Sequence, residues 1–253
     1  MEIADATTSS HRAEAQQRTG RPTPVAPNEW DFRNPAKHCK PNGLLAVGAD
    51  LAASTLVASY RSGIFPWPGE EGPLPWFSPN PRGVLPLDHF RCSKSLRQRL
   101  RRSGWESTVD YDFEAVIENC AKRMNGESTW ISDDMRAAYV ELHRLGWAHS
   151  VEIWDGSRLV GGCYGLLLGG VFTGESMFHR ETDASKVAVF ELLTRLGEAG
   201  GSLVDVQMLT DHLATLGAIS IHRTLFLEIL HEIRDDDVRL LTNRLPVARL
   251  VPN

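Results

Sequence analysis

The chain of 253 residues has few of the motifs by which metal and nucleotide sites are most easily identified. Its four cysteines form no C-x-x-C pair, and its nine histidines include no H-E-x-x-H motif. The spacing of these residues therefore predicts no metal site. The phosphate-binding motif G-x-x-x-x-G-K-[ST] is also absent, which argues against a P-loop nucleotide site. We expect a protein that uses neither a metal nor a cofactor.

Long apolar runs are missing as well. The least polar stretch, residues 159–172, has 14 residues and five of them are glycine, whereas a spanning helix needs about 20 apolar residues. Residues 1–27 lack the basic start and apolar run of a secretory signal and are rich in Thr, Ser, Ala, Gln and Pro. We expect a disordered extension over 1–27, no membrane role, and a reduced cytoplasmic setting for the cysteines.

The charge of the chain is unevenly distributed. The formal net charge is −5, yet residues 91–102 contain six basic side chains and no acidic one. A local basic stripe on an otherwise acidic chain is suited to docking one polyanion. Steps of three and four place Lys94, Arg97 and Arg101 together on one side of a predicted helix over 93–102. The structural alternative is a solvated helix face.

The order of predicted elements indicates a mixed α/β (α+β) protein. Residues 28–81 are rich in Pro, Gly and Trp, contain one clear helix with Ser54 as its N-cap, and are interpreted as a small N-terminal domain. Residues 82–253 are more regular, with helices, then a hairpin at a D-G turn, then alternating strands and helices. That order favours a sheet of mixed direction. Asp183 is predicted to cap one of the later helices.

Three polar residues near the ends of predicted strands are candidates for catalysis. Asp205 and Gln207 are two residues apart on one strand, so we expect their side chains on one face and Val206 on the other. Two polar groups on an apolar strand are costly unless they are paired or used. Glu175 follows Gly174 at a strand end, where a ligand has room. The structural alternatives are a buried hydrogen-bonded pair, a strand end in water, and an exposed turn acid.

Six blocks of sequence occur together in one order and spacing. They are PNGLLA at 41–46, YRSGIFPW at 60–67, TWI at 129–131, AHSVE at 148–152, GESMF at 174–178 and DASK at 183–186. Through these blocks the chain resembles the bacterial leucyl/phenylalanyl-tRNA–protein transferase family over about residues 41–230. One such block would be weak support, whereas the ordered series is highly specific.

The resemblance implies a reaction, its partners and a fold. The enzyme takes Leu or Phe from charged tRNA and joins it to the N-terminal Arg or Lys of an acceptor protein, which marks that protein for degradation by the N-end rule pathway. The partners implied are Leu-tRNA, Phe-tRNA and such acceptors, and we expect a monomer. The fold implied is a small N-terminal domain followed by a GNAT-like acyltransferase domain with a mixed sheet.

The resemblance also places Glu175, Asp205 and Gln207 at the reacting amine and ester. On this basis the carbonyl of Gln207 would accept a hydrogen bond from the amine and orient it. Asp205 would hold Gln207 and add negative potential. Glu175 would recognise the cationic acceptor residue or receive a proton.

Binding residues are implied in the same way. An apolar pocket would hold the donor side chain, two tryptophans would hold the terminal adenosine, and the basic helix would contact tRNA phosphates. Without the resemblance, plain core is the favoured interpretation of the apolar residues. The implied residues are Cys163, Phe172, Val189, Leu192 and Leu196 for the pocket, Trp67 and Trp130 for the adenosine, and Lys94, Arg97 and Arg101 for the phosphates.

Two other functions stay open from the sequence. An acyl-CoA N-acyltransferase of the same fold would bind pyrophosphate with a [QR]-x-x-G-x-[GA] loop. The nearest candidate, Arg158-x-x-Gly161-x-Cys163, fails at its last position and lies inside the predicted hairpin. A non-catalytic adaptor would bind tRNA or N-terminal residues without turnover.

Overall fold

The computed structural model describes residues 17–69, 72–122 and 129–251, and within these ranges the chain forms two β-sheets and eight α-helices. This mixed α/β arrangement confirms the predicted fold class. The small sheet has the order β1-β3-β2, with antiparallel pairing throughout. Its strands are β1 (Leu44–Val47), β2 (Phe65–Pro66) and β3 (Pro75–Phe77).

The large sheet has eight strands in the order β10-β4-β9-β8-β7-β6-β5-β11. The pair β8–β9 is parallel and the other pairs are antiparallel. The predicted hairpin is confirmed as β6–β7, whereas β4, β5 and β11 have no counterpart in the prediction. The strands are β4 (Arg82–Pro86), β5 (Glu106–Val109), β6 (Ala148–Asp155), β7 (Arg158–Leu168), β8 (Val171–His179), β9 (Leu203–Gln207), β10 (Ile219–Ile221) and β11 (Leu245–Pro246).

The helices of the described residues include none that is both long enough and apolar enough to cross a membrane. Two short 3-10 helices, Leu87–His89 and Val247–Leu250, accompany them. The α-helices are α1 (Pro35–His38), α2 (Ala53–Arg61), α3 (Lys94–Arg102), α4 (Phe113–Ala121), α5 (Asp133–Arg144), α6 (Ala184–Glu198), α7 (Asp211–Leu216) and α8 (Arg223–Ile233).

The first residues of helices α2 and α6 can be compared with the N-cap residues predicted from the sequence. Helix α2 begins after Ala52, whose side chain cannot cap, so Ser54 lies within the first turn and its prediction as N-cap is wrong. Asp183 does stand at the N-cap position of α6, but its φ is +72° and its side chain caps no helix amide. Its Oδ1 instead accepts from Nζ of Lys186 at 2.7 Å.

The core consists of two clusters on opposite faces of the large sheet. Along β7, Tyr164 and Leu166 belong to one cluster, whereas Cys163 and Leu167 belong to the other. Alternate residues of a strand point to opposite faces, so the sheet separates the clusters. The first cluster includes buried residues of α2, α4, α5, α8 and the small sheet, and the second includes those of α3 and α6.

Residues 17–21 contact the other end of the described chain. The backbone N–H of Thr19 donates to the carbonyl of Leu240 at 2.8 Å, and that of Thr242 donates to Gln17 at 2.9 Å. Arg18 and Leu241 form an isolated β-bridge. The prediction of a disordered extension over 1–27 is therefore wrong for this part, and residues 1–16 lie outside the described ranges.

Candidate active site

A cavity of about 230 Å³ opens where β8 and β9 separate. The two strands pair in parallel from Val171↔Leu203 to Thr173↔Asp205. Strand β8 then continues to His179 without pairing with β9. The cavity is lined by residues 174–177 of β8, by the C-terminal residues of β9 together with Met208, and by the apolar face of α6. A gap between strands of one sheet therefore provides the site.

Most of the pocket residues implied by the resemblance line this cavity. Leu196 does not line it, and its side chain is buried in the core cluster on the α3 and α6 side. Six further apolar residues line the cavity and were missed by sequence reasoning, namely Leu85, Met177, Val204, Val206, Met208 and Leu213. The implied residues that line it are Trp67, Cys163, Phe172, Val189 and Leu192.

The two tryptophans lie together at the rim. Trp67 is 37% exposed, and its ring stacks on that of Trp130 with a centroid separation of 6.0 Å and an interplanar angle of 19°. Trp67 lines the cavity, whereas Trp130 does not line it and stacks on Trp67. The structure thus places one broad aromatic surface beside the apolar pocket.

Two polar side chains meet at the end of the cavity. Nε2 of Gln207 donates to Oε1 of Glu175 at 2.8 Å, and both residues line the cavity. This bond fixes the orientation of the Gln207 amide, whose oxygen Oε1 is the hydrogen-bond acceptor of that side chain. The described residues include no donor to that oxygen, so it is available to a bound group.

A pair of tyrosines extends this polar group into the core. The hydroxyl of Tyr139 on α5 donates to Oε2 of Glu175 at 2.8 Å, and the hydroxyls of Tyr139 and Tyr60 share a hydrogen bond of 2.5 Å. Both tyrosines are buried. Sequence reasoning missed them, although Tyr60 begins the YRSGIFPW block. Glu175 is therefore held from two sides, by Gln207 and by the tyrosines.

The environment of Glu175 changes its acidity. Burial, together with the nearby carboxylate of Asp205, raises the pKa of Glu175 to about 7. The hydroxyls of Tyr139 and Tyr60 and the guanidinium of Arg82 act in the opposite direction. Both charge states of this carboxyl group are therefore populated near neutral pH.

Asp205 lies near this centre but does not line the cavity. Its carboxylate forms a bidentate ion pair with Arg82, with distances of 2.8 and 2.6 Å. Its Oδ1 also accepts from the backbone N–H of Gln207 at 2.9 Å. Both oxygens are thus engaged with protein groups, and the charge of Asp205 is paired.

The prediction that Asp205 and Gln207 share one face of a regular strand does not hold. Pairing with β4 shifts from Val84↔Asp205 to Gly83↔Gln207, so Val206 is an extra residue in a β-bulge. Gln207 then has φ of +63°. Because the bulge ends the alternation, Val206 and Gln207 both reach the cavity, whereas Asp205 faces Arg82.

The basic helix packs on the core cluster that also lines the cavity. Leu96 and Leu100 bury the inner face of α3 in this cluster. The three predicted contact residues are exposed on the outer side, and none forms an ion pair with the residues the structure describes. Those residues are Lys94, Arg97 and Arg101.

The fold and the site together define a class of protein. An apolar pocket that ends at an oriented amide and a carboxyl group is suited to holding the apolar part of a substrate and orienting a reacting group at its polar end. Among the described residues, no three His, Cys, Asp or Glu side chains are grouped to bind a metal ion. This arrangement fits an α/β enzyme with an apolar specificity pocket.

Comparison with known proteins identifies the family. The family model described as "Leucyl/phenylalanyl-tRNA protein transferase" matches residues 84–231, and the model for its N-terminal domain matches residues 49–80. The leucyl/phenylalanyl-tRNA–protein transferase of Pseudoalteromonas atlantica is 51% identical over 193 residues, which are 76% of this chain and 82% of that protein. That of Shewanella piezotolerans is 46% identical over 211 residues, 82% of this chain and 89% of that protein. The chain belongs to the leucyl/phenylalanyl-tRNA–protein transferase family and is an aminoacyltransferase.

Proposed function

We propose that this chain transfers Leu or Phe from charged tRNA to the N-terminal Arg or Lys of acceptor proteins and so marks them for N-end rule degradation. The supporting observation is the Glu175–Gln207 pair at the end of the apolar cavity, in a chain of this family. The donor side chain occupies the cavity, and its ester carbonyl lies at the polar end. We further propose a cytoplasmic monomer with domains at 28–81 and 82–253.

The proposed reaction requires mainly that the protein position its two substrates. The donor is an ester that is already activated, and the nucleophile is an α-amine with a pKa of about 8, so a useful fraction is neutral at pH 7. Oriented reactants can save roughly 7–11 kcal/mol of the barrier. The main task is therefore to hold the amine against the ester carbonyl.

The side chains divide this task between them. Oε1 of Gln207 accepts a hydrogen bond from the amine and directs its lone pair to the ester. Glu175 fixes the amide of Gln207 and, as a carboxylate, receives a proton or attracts the cationic acceptor. Asp205 holds the backbone N–H of Gln207, and its pairing with Arg82 offsets the negative potential that the sequence suggested.

The tRNA end is held outside the pocket. The terminal adenosine stacks on the Trp67–Trp130 surface, a contact worth about 1–3 kcal/mol per base. Lys94, Arg97 and Arg101 contact phosphates of the acceptor stem from the exposed side of α3.

The transfer rate at saturating substrate is expected to rise with pH through an inflection at about 7, because the carboxylate form of Glu175 becomes predominant there. Deprotonation of the α-amine, with a pKa of about 8, adds a separate rise at higher pH. Glu175→Gln should remove this inflection. Glu152 provides a matched control, since burial raises its pKa to about 7 as well, although it lies outside the cavity. Glu152→Gln should keep the inflection, and pH–rate profiles of the three proteins measure it. An unchanged profile for Glu175→Gln would contradict the assigned role.

The affinity for tRNA, and with it the transfer rate, is expected to fall steeply as the salt concentration rises. The basic helix α3 should account for part of this dependence. Each phosphate contact contributes about 0.7–0.9 to the slope of log affinity against log salt concentration. Replacing Lys94, Arg97 and Arg101 with Ala should therefore lower the slope by about 2. A triple Ala variant at Arg136, Arg144 and Arg158, which are exposed ion-paired residues of other elements, makes the same charge change as a control. If the slope of log affinity against log salt concentration is equal in both variants, helix α3 does not contact the tRNA phosphates.

One assay tests the function itself. The protein is incubated with labelled Leu-tRNA and a peptide that begins with Arg or Lys, with and without ribonuclease. The expected result is label in the peptide only when the RNA is intact. Labelled acetyl-CoA in a parallel reaction would identify an acyl-CoA acyltransferase, and binding of Leu-tRNA without turnover would identify an adaptor.

A further inference from the structure

We propose that Arg82 is a positioning residue for transfer, which holds the end of β9 in the conformation that presents Gln207 to the substrate. This inference rests on the proposed function. Arg82 is 1% exposed and does not line the cavity, so it acts through other residues. It starts β4, at the junction between the small sheet and the large one.

A continuous series of hydrogen bonds leads from Arg82 to the cavity. Nε and Nη2 of Arg82 donate to the two oxygens of Asp205 at 2.8 and 2.6 Å. Oδ1 of Asp205 accepts from the backbone N–H of Gln207 at 2.9 Å, and Nε2 of Gln207 donates to Glu175 at 2.8 Å. Each bond fixes the next group, so the last one orients the amide at the cavity.

The conformation at the end of this series needs such support. Gln207 has φ of +63°, a region that is unfavourable for residues with a side chain. Strained conformations of this kind persist only when surrounding contacts determine them. The bond from the backbone N–H of Gln207 to Asp205 is one of those contacts, and it is available only while Arg82 holds the carboxylate.

Arg82 also contacts the segment that leads to the aromatic surface. Its Nη1 donates to the carbonyl of Gly63 at 3.1 Å, and its guanidinium carbon lies 5.0 Å from the ring centroid of Phe65. Two residues later the chain reaches Trp67. One guanidinium group therefore ties the surface proposed for the adenosine to the strand proposed for the amine.

Arginine is suited to this place and lysine is not. The planar guanidinium has donors in a fixed fork and stays charged when buried, so it can serve both Asp205 oxygens and Gly63 together. An ammonium group is a point charge and cannot reproduce the fork. The charge and the geometry of Arg82 can thus be separated with Arg82→Met and Arg82→Lys.

The first measurement is single-turnover transfer. Arg82→Met should lower the rate at saturating substrate by about 10²-fold, as expected for a misplaced catalytic group. The KM for aminoacyl-tRNA should change less than the rate, because the apolar lining stays in place and Arg82 reaches the aromatic surface only through the backbone of Gly63 and the ring of Phe65. Arg195→Met is the matched control, since Arg195 is fully buried and paired with Glu191 at 2.6 Å without lining the cavity. It should lose stability but keep the rate of its folded fraction.

The second measurement is the pH–rate profile. The cation of Arg82 lowers the pKa of Glu175, so Arg82→Met should move the inflection to higher pH. Arg82→Lys keeps the charge and should move it less, although its rate falls because the fork is lost. Arg195→Met should leave the inflection in place. The groups that face Glu175 are Tyr60 on α2, Tyr139 on α5, Tyr164 on β7, Asp205 on β9 and Arg82 on β4.

A readout without activity completes the test. Amide hydrogen exchange at Gln207 should become faster in both Arg82 variants than in Arg195→Met, even if the wild-type protein transfers nothing and the proposed function fails. A folded Arg82→Met variant with wild-type rate and exchange would overturn the inference. If that variant does not fold, the same outcome for Arg82→Lys would overturn it.

Discussion

Replacing Gln207 with Ala is expected to slow single-turnover transfer by about 10²-fold, with the KM for aminoacyl-tRNA changed less than about threefold. The reason is that Gln207 presents Oε1 to the cavity while Nε2 is held by Glu175 at 2.8 Å. The apolar lining stays intact in the variant, so the donor side chain is still bound. The lost contact is the one that orients the amine.

The neighbouring residue supplies the control for this prediction. Met208 is 42% exposed and also lines the cavity, but it has no hydrogen-bonding amide. Met208→Ala should change the rate by less than about threefold. If Gln207→Ala behaves like Met208→Ala in single-turnover experiments, positioning by the tRNA end is sufficient, and the role given to Gln207 is wrong.

Replacing Asp205 with Leu should lower the free energy of unfolding by about 3–5 kcal/mol, because it leaves the cation of Arg82 buried without a partner. The two side chains are only 2% and 1% exposed, so water cannot take the place of the carboxylate. The measurement is urea unfolding followed by circular dichroism. The double variant Arg82→Met/Asp205→Leu should recover most of the loss, since no unpaired charge is left.

An exposed ion pair provides the control for this loss of stability. Arg21 and Asp237 are 2.8 Å apart, with side chains 74% and 49% exposed. Asp237→Leu should lower the free energy of unfolding far less than Asp205→Leu, because solvent screens exposed pairs. A similarly small loss for Asp205→Leu would contradict the view that Asp205 and Arg82 form one buried unit.

Local patterns in the sequence were sufficient to predict the elements that build the site. The hairpin β6–β7 and helices α3 to α8 follow from periodicity and caps, and the family resemblance implies four of the apolar residues that line the cavity. The wrong prediction for Asp205 and Gln207 has a specific cause, since it assumed regular alternation up to Gln207. The bulge at Val206 depends on how β4 pairs with β9, and β4 itself had not been predicted.

The missed residues share another property, which is that their partners are distant in sequence. Arg82 pairs with Asp205 across 123 positions, and Tyr60 meets Tyr139 across 79. No spacing rule connects residues so far apart. A buried arginine at the start of a strand, or a tyrosine within a matching block, acquires its role only when the topology brings its partner close.

The pairing of residues 17–19 with 240–242 has a consequence for local unfolding of these two segments. The two segments are held by a few backbone hydrogen bonds and close a loop of more than 220 residues. Detaching either one releases the other, so they should behave as a single unit of local unfolding despite lying at opposite ends of the described chain. The amide protons of Thr19 and Thr242 should therefore exchange at similar rates, and well before those in the middle of β6 and β7.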